Sequence, residues 1–527
     1  MSINTGGIAE ADGSPLSGAT VKPNGNGSGG RTGVLHAPPS PEAARTLPAD
    51  FVKRHRVLPL EVRDGALRVA TADPGNARII DDIRLLSGLE VEEIAAPADE
   101  LVEKIAELYQ VTVEQIVQNL AGDKAAAVEG RNLHDIEVMA NEPTVINLVN
   151  VIISTAVRER ASDIHLVPFE NELQLRYRID GLLQEKPPPP AHLHPAIISR
   201  IKIMADMNIA ERYLPQDGHI QIHHRGARVD IRVGTMPTIH GESVVLRLLE
   251  KNSRLLSAEE LGLDKTRAKL LEHLVEKPHG LFLTTGPTGS GKTTTLYSIL
   301  SGVYSPEIKV LTIEDPVEYE LTGVAQTPVR PSRGFTFATG LRSILRQDPD
   351  VVMVGEIRDG ETAEIAIRAA LTGHQVFSTL HTNDAAGAIT RLIDMGVEPF
   401  LISSSLVGVL AQRLVRRLCP SCRVEWPITE AMLERLVALG AGDPSGPFYH
   451  SSGCEDCRGT GYRGRVGVFE LLTITPDLRE LILQRRSSAA IKDAARAHIM
   501  TMQQDALQKA QSGVTSVEEI LRVCSGD

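Results

Sequence analysis

Aromatic residues are scarce in this chain: they make up 3% of 527 positions, with a single tryptophan. Single-stranded nucleic acid is commonly held on stacked aromatic side chains, so this shortage argues against such a platform. Positive charge is short as well, with 55 Lys and Arg against 67 Asp and Glu and a net charge of −12. A nucleic-acid-binding protein of that balance would need a strongly segregated basic surface. No run of about eighteen apolar residues occurs; the nearest, 400–411, is too short to span a bilayer. The opening MSINTGGIAEADGS has neither the basic n-region nor the apolar h-region of a secretory signal, so a cytoplasmic protein is expected. Cysteine is limited to five positions, four of them in two C-x-x-C pairs, which reads as metal binding in a reducing compartment rather than as disulfides.

What is present is enough for about three to four domains. Residues 1–44 are rich in Gly, Ser, Pro and Ala and hold too little apolar surface to offset ordering entropy, so a disordered tail is expected. A small α/β module follows over 45–112. Its 58–62 and 66–70 segments should pair as a hairpin turning at Asp64-Gly65, with helices over 77–86 and 98–109. It shows no catalytic constellation, and docking is the role its content suits. A polar linker, 113–132, leads to a second domain over 133–250. There Asn141-Glu142-Pro143 starts a helix with an apolar face from Val145 to Val157. Strands over 173–179 and 228–233 alternate strictly, with Gln174, Arg176 and Arg178 on one face of the first and Arg228, Asp230 and Arg232 on one face of the second. Such arginines are either a solvated sheet face or a surface presented to a phosphate, and the strands alone leave both open. Pro187 to Pro190 form a stiff surface segment between them.

The remainder, 251–527, carries the chemistry. Leu281-Phe282-Leu283 is a buried-strand run, and it leads into Gly286, Pro287, Thr288, Gly289, Ser290, Gly291, Lys292 and Thr293, a full G-x-x-x-x-G-K-[ST] match. Thr294 continues into a segment with Leu296, Ile299 and Leu300 at helical spacing, so the loop joins a strand to a helix. The glycines let backbone N–H groups turn inward around a polyphosphate, and the helix N-terminus adds partial positive charge. In this arrangement Lys292 reaches the β- and γ-phosphates of ATP and the Thr293 hydroxyl ligates Mg²⁺.

Three more apolar runs end in polar residues: 310–313 in Glu314-Asp315, 351–354 in Gly355-Glu356, and 376–380 in His381. Four such strands separated by helical stretches make a parallel α/β sheet, whose ligands sit at the strands' carboxyl ends. An acid delivered there beside a phosphate loop has the Walker B arrangement. Arg330, Arg333, Arg342 and Arg346 lie between these runs as candidate cations for the transferring phosphate. Cys419, Cys422, Cys454 and Cys457 can close a tetrahedral, structural Zn²⁺ site, with a helix over 428–439 folding inside the long interval. Cys524 falls outside both pairs, and its thiol is expected to stay reactive.

These stretches resemble the secretion ATPase superfamily, in its type II secretion and type IV pilus assembly branches. The resemblance rests on GPTGSGKTTTLY (Walker A), TIEDPVEY (Asp box), LRQDPDVVMVGEIRD (Walker B) and TGHQVFSTLHTNDA (His box), on the four cysteines, and on ASDIHLVPFE, RYRIDG and MPTIHGESVVLRLL in the second domain. It implies an α/β, multi-domain protein: a RecA-like P-loop parallel sheet, smaller α/β N-terminal domains (the second PAS-like), and a zinc-binding insertion over 416–460. It also implies that Glu356 activates the attacking water, that Glu314 acts near Mg²⁺, and that His381 faces the γ-phosphate, with His374 a weaker candidate. Arg232 and Arg247 would approach the nucleotide of the same or a neighbouring subunit. A homohexamer is implied on the cytoplasmic face of the inner membrane, peripheral to it and docked on platform proteins through the N-terminal domain. It would drive pseudopilus assembly and type II protein export, or, in the alternative, pilus extension. One departure stands out: His219, after Gln216-Asp217-Gly218, occupies a position where many relatives carry arginine, and an imidazole holds phosphate less firmly than a guanidinium.

Two other classes remain. A scaffold that binds ATP without turnover is disfavoured by the intact Lys292 and Glu356, and a nucleic-acid translocase by the acidic balance and the few aromatics. Charge balance at the phosphate also predicts that a neighbouring chain supplies the arginine sheet, because a single chain would have to fold that sheet back across the 251–263 tether.

Overall fold

The computed structural model describes residues 40, 43, 46–47, 49–63, 65–98, 100–101, 104–105, 133–224, 227–250 and 255–525. The expected linker, nearly all of the expected tail, Asp64 of the hairpin turn, the end of the second N-terminal helix and the start of the tether lie outside them. Two compact units divide between Val111 and Thr112.

In the first unit, β1 (Val57–Arg63) and β2 (Ala66–Thr71) pair antiparallel through Val62↔Leu67 and Arg63↔Ala66, as the alternating pattern predicts. The next strand, β3 (Glu90–Ala95), lies parallel to β2, reached by the helix Ala77–Ser87. Val52, Leu58, Leu67, Val69 and Ile83 form this unit's own core.

The second unit holds two sheets. Six antiparallel strands stand in the order β6-β5-β4-β9-β8-β7: β4 (Ala161–Pro168), β5 (Leu173–Ile179), β6 (Leu182–Lys186), β7 (Gln216–His224), β8 (Ala227–Thr238) and β9 (Gly241–Glu250). The helix Pro143–Arg158 begins with Pro at its first turn, where a missing N–H costs nothing. It buries Val145, Leu148, Val149 and Ile152 against this sheet's inner face, where Leu175, Tyr177, Ile231 and Leu246 are also buried. The Tyr177 hydroxyl donates to the Ile152 carbonyl (2.7 Å). A further helix, Leu133–Ala140, precedes it.

Seven strands form the other sheet, in the order β12-β11-β13-β14-β10-β15-β18. The buried runs foreseen as parallel strands are β10 (Gly280–Thr285), β11 (Val310–Glu314), β13 (Val351–Val354) and β14 (Gln375–Leu380). Their side chains are buried throughout, as strands covered on both faces require. They are joined by the edge strand β12 (Ala325–Pro328), by β15 (Leu406–Leu418) and by the antiparallel β18 (Tyr462–Thr473). Between β15 and β18 lies the cysteine-bearing module, where β16 (Arg423–Glu425) pairs with β17 (Tyr449–Ser451) and the expected helix spans Glu430–Ala438.

Candidate nucleotide site and metal centre

The phosphate loop leaves β10 and enters the helix Lys292–Val303, whose first residue is the motif lysine. Gly286 has φ +149°, and a Cβ there would stand 2.3 Å from the Gln412 carbonyl and 2.7 Å from Ser290 Oγ, so only glycine fits. Gly291 caps the helix at φ +88° with no side-chain cap, leaving the helix's first N–H groups open to an anion. Lys292 Nζ folds back onto the loop's own carbonyls, Gly286 (2.7 Å) and Pro287 (3.1 Å). Burial pulls its ammonium below its ordinary range, and the nearby Glu356 carboxylate offsets part of that pull. Ser290 Oγ is buried with no hydrogen-bond partner. A lysine resting on loop carbonyls, an uncapped helix start and an orphaned hydroxyl fit a polyphosphate.

The strand-end residues converge as parallel topology demands. Glu356 Oε2 is 3.2 Å from His381 Nε2, and Glu356 Oε1 pairs with Arg358. Burial alone would raise the Glu356 carboxyl, but the bonds from Arg358 and His381 outweigh it and hold it below the usual carboxylate range. Glu314 ends β11 and is 3% exposed. Its carboxylate accepts from Tyr297, from Thr312 Oγ1 (2.5 Å) and from Gln326 Nε2 (3.1 Å). His374, by contrast, precedes β14 while His381 follows it, so it lies at the opposite sheet edge. Its Nδ1 is 3.0 Å from the Ala369 carbonyl.

A cavity of about 1210 Å³ joins the loop residues Pro287–Thr294 to Glu314, Glu356 and His381, and its far wall comes from the second domain's sheet. The sheet thus covers the loop within one chain, against the expectation that a single chain's tether disfavours this arrangement. Arg247 and Arg178 line the cavity, both pivoting on Asp163 (3.2 and 3.5 Å). Arg232 is turned elsewhere: it donates to the Val317 carbonyl (2.8 Å) and lies 3.5 Å from Glu318, in the loop after β11. His219 sits 3.8 Å from Asp230. Asp230, expected on the exposed face, is 7% exposed. Among the described residues, Arg330, Arg333, Arg342 and Arg346 do not line the cavity; Arg342 pairs with Glu361 (2.7 Å), and Arg346 donates to the Arg342 carbonyl (2.8 Å).

Several neighbours went unread in the sequence. Arg358 had a signal in its position two residues after Glu356. Tyr297 reads as one more apolar position of the loop helix. Arg413 and Arg522 reach the cavity from β15 and the last helix, Val517–Cys524, with nothing local to mark them.

The four cysteines meet as the spacing predicts, with all four sulfurs within 4.8 Å of one another. The contacts Cys419–Cys454 and Cys422–Cys457 are 3.8 Å and Cys454–Cys457 is 3.7 Å. A disulfide would need about 2 Å. Four thiolates around a tetrahedral ion at about 2.3 Å stand about 3.8 Å apart, so the cluster fits a metal. Cys524 is 1% exposed, which corrects the expectation that its thiol stays reactive: a thiol closed off from solvent is inert.

The chain's similarity to known proteins agrees with this geometry. Residues 139–522 match the family model described as type II/IV secretion system protein, and residues 35–115 match the MshEN domain. Type II secretion system protein E of Aeromonas hydrophila is 46% identical over 92% of this chain and 98% of its own length. The type IV pilus assembly ATPase PilB of Myxococcus xanthus is 42% identical over 91% of this chain and 86% of its own. Among solved structures, the pilus retraction motor PilT with bound ADP aligns at a TM-score of 0.50 and 27% identity, covering 71% of this chain and 96% of that one. With the phosphate loop, the strand-end acids and the four-cysteine cluster all in place, the chain belongs to the type II/IV secretion system ATPase family.

Proposed function

We propose that this protein is the ATP-hydrolysing motor of a type II secretion system, working as a homohexamer docked on inner-membrane platform proteins. ATP supplies the labile phosphoanhydride and Mg²⁺ spreads the charge that develops on it. In this reading Gly286 to Thr294 cradle the triphosphate, Lys292 leaves the loop carbonyls for the β- and γ-phosphates, and Thr293 ligates Mg²⁺. Glu356 takes the proton of the attacking water and His381 stands on the γ-phosphate side. Glu314 would act near Mg²⁺ and the γ-phosphate, and Arg247 closes the cavity from the second sheet. Residues 45–112 serve as the docking domain, 133–250 as the arginine-bearing domain and 251–527 as the ATPase domain. Cys419, Cys422, Cys454 and Cys457 hold a structural Zn²⁺ within 416–460.

The observation that carries this reading is the pairing of Glu356 with His381 on the rim of the cavity that contains Lys292. Phosphate release and nucleotide binding test it: Glu356→Gln should bind ATP and scarcely hydrolyse it. Near wild-type turnover in that variant would overturn the assignment. Pilus assembly is the second reading, supported by the similarity to the PilB of Myxococcus xanthus. Co-purification of the full chain with inner-membrane components distinguishes the two by which machine's platform protein is recovered.

A further inference from the structure

We propose that Tyr297 is a positioning residue that ties the closed placement of the arginine sheet to the orientation of the Glu314 carboxylate. The inference rests on the catalytic reading of Glu314. Tyr297 lies five residues beyond Lys292 on the phosphate-loop helix and is fully buried. Its ring meets Tyr319 edge-on, with centroids 4.6 Å apart. Its hydroxyl donates to Glu314 Oε2 and accepts from the Glu318 backbone N–H (3.3 Å) and from Gln326 Nε2 (3.2 Å).

The hydroxyl's direction of donation follows from its surroundings. Burial first, and the Glu314 charge second, push the phenol well above its ordinary range, so it stays protonated and must be the donor. The Glu318 end of this chain is held from the other domain: Arg232 donates to the Val317 carbonyl and faces the Glu318 carboxylate. Arg232 therefore grips the loop that fixes Tyr297, and Tyr297 fixes Glu314. The Tyr297–Glu314 bond is buried and the links from the 315–318 loop are part-buried, while Arg232 is not among the residues that line the cavity. When the arginine sheet lifts off, the 315–318 loop loses its outside anchor and the Tyr297 bond to Glu314 Oε2 loses its support, leaving Thr312 and Gln326 to hold only the other oxygen. Hydrolysis is thereby reserved for the closed chain without any arginine of this row touching Glu314.

Tyr297→Phe keeps the ring packing and removes only the hydroxyl. In the full-length protein we expect kcat to fall about tenfold while KM for ATP, the Kd of a fluorescent ADP and the melting temperature stay within about twofold or 2 °C of wild type. Arg232→Gln should lower kcat similarly, and the double variant should be no worse than either single one, because both cut the same chain. Multiplied losses in the double variant, or unchanged kcat in Tyr297→Phe, would overturn the proposal. Glu314→Gln separates the two layers: retained turnover there removes the reading of Glu314 and this inference with it. Lost turnover there, beside an unaffected Tyr297→Phe, removes the inference alone.

Discussion

His381 Nε2 stands 3.2 Å from Glu356 Oε2, although the two residues end different strands and lie 25 positions apart. Adjacent parallel strands β13 and β14 bring them together, since both strands finish at the same sheet edge. Arg358 holds the other carboxylate oxygen, so the acid is charged and oriented before any nucleotide arrives.

That pairing separates binding from chemistry. Lys292→Ala should abolish binding of a fluorescent nucleotide, whereas Glu356→Gln should bind with near wild-type affinity and lose about two to four orders of magnitude in kcat. Isothermal titration beside a phosphate-release assay measures both.

The pH profile should report the same carboxylate. Its folded-state pKa is depressed by Arg358 and His381 against the effect of burial, so Glu356 stays ionised as pH falls below the ordinary carboxylate range. The acid limb of kcat/KM in Arg358→Ala should therefore move to higher pH. An unmoved limb would mean that another group sets it.

Glu519 offers a stability test. It is 1% exposed and is held by Arg522 (2.8 Å on both oxygens) and Arg416 (2.7 Å). Burial raises its carboxyl, but those bonds outweigh it and bring the pKa down to about 2. A depressed carboxylate contributes stability that is present above about pH 4.5 and lost as pH falls toward 2, on the order of 3 kcal/mol in all. Glu519→Gln should lower the denaturation midpoint at pH 7 and flatten the acid dependence in that window. An equally steep acid loss in the variant would shift the cause to other carboxylates.

The metal cluster predicts one Zn²⁺ per chain by elemental analysis, with Cys454→Ser lowering the zinc content and the melting temperature. Thiol labelling of the native zinc-loaded protein should leave Cys524 unmodified until denaturant is added. Rapid native labelling at Cys524 would contradict its burial.

Mixing Lys292→Ala with Arg232→Ala should restore no ATPase activity, because Arg232 grips the loop of its own chain. Recovery of turnover in the mixture would restore the expectation of an arginine supplied by a neighbour.

Much of this was legible from the sequence, and the reason is locality. The phosphate loop is a contiguous device, the buried strands announce themselves as apolar runs, and parallel topology dictates which ends of those strands meet. The C-x-x-C pairs likewise encode a cluster in their spacing, and the 173–179 alternation becomes β5 with Leu173, Leu175 and Tyr177 inward. Side-chain partners between distant segments were decided only in three dimensions. Whether strand arginines meet solvent, a phosphate or a carboxylate depends on what packs over their face. Arg247 thus reached the cavity while Arg232 took Glu318, although they are direct cross-strand neighbours. Tyr297 and Glu314 are 17 positions apart, and Arg267 and Asp505 are 238 apart. No periodicity records such pairs, because hydrogen bonds are short-ranged and only the folded chain brings their atoms within reach.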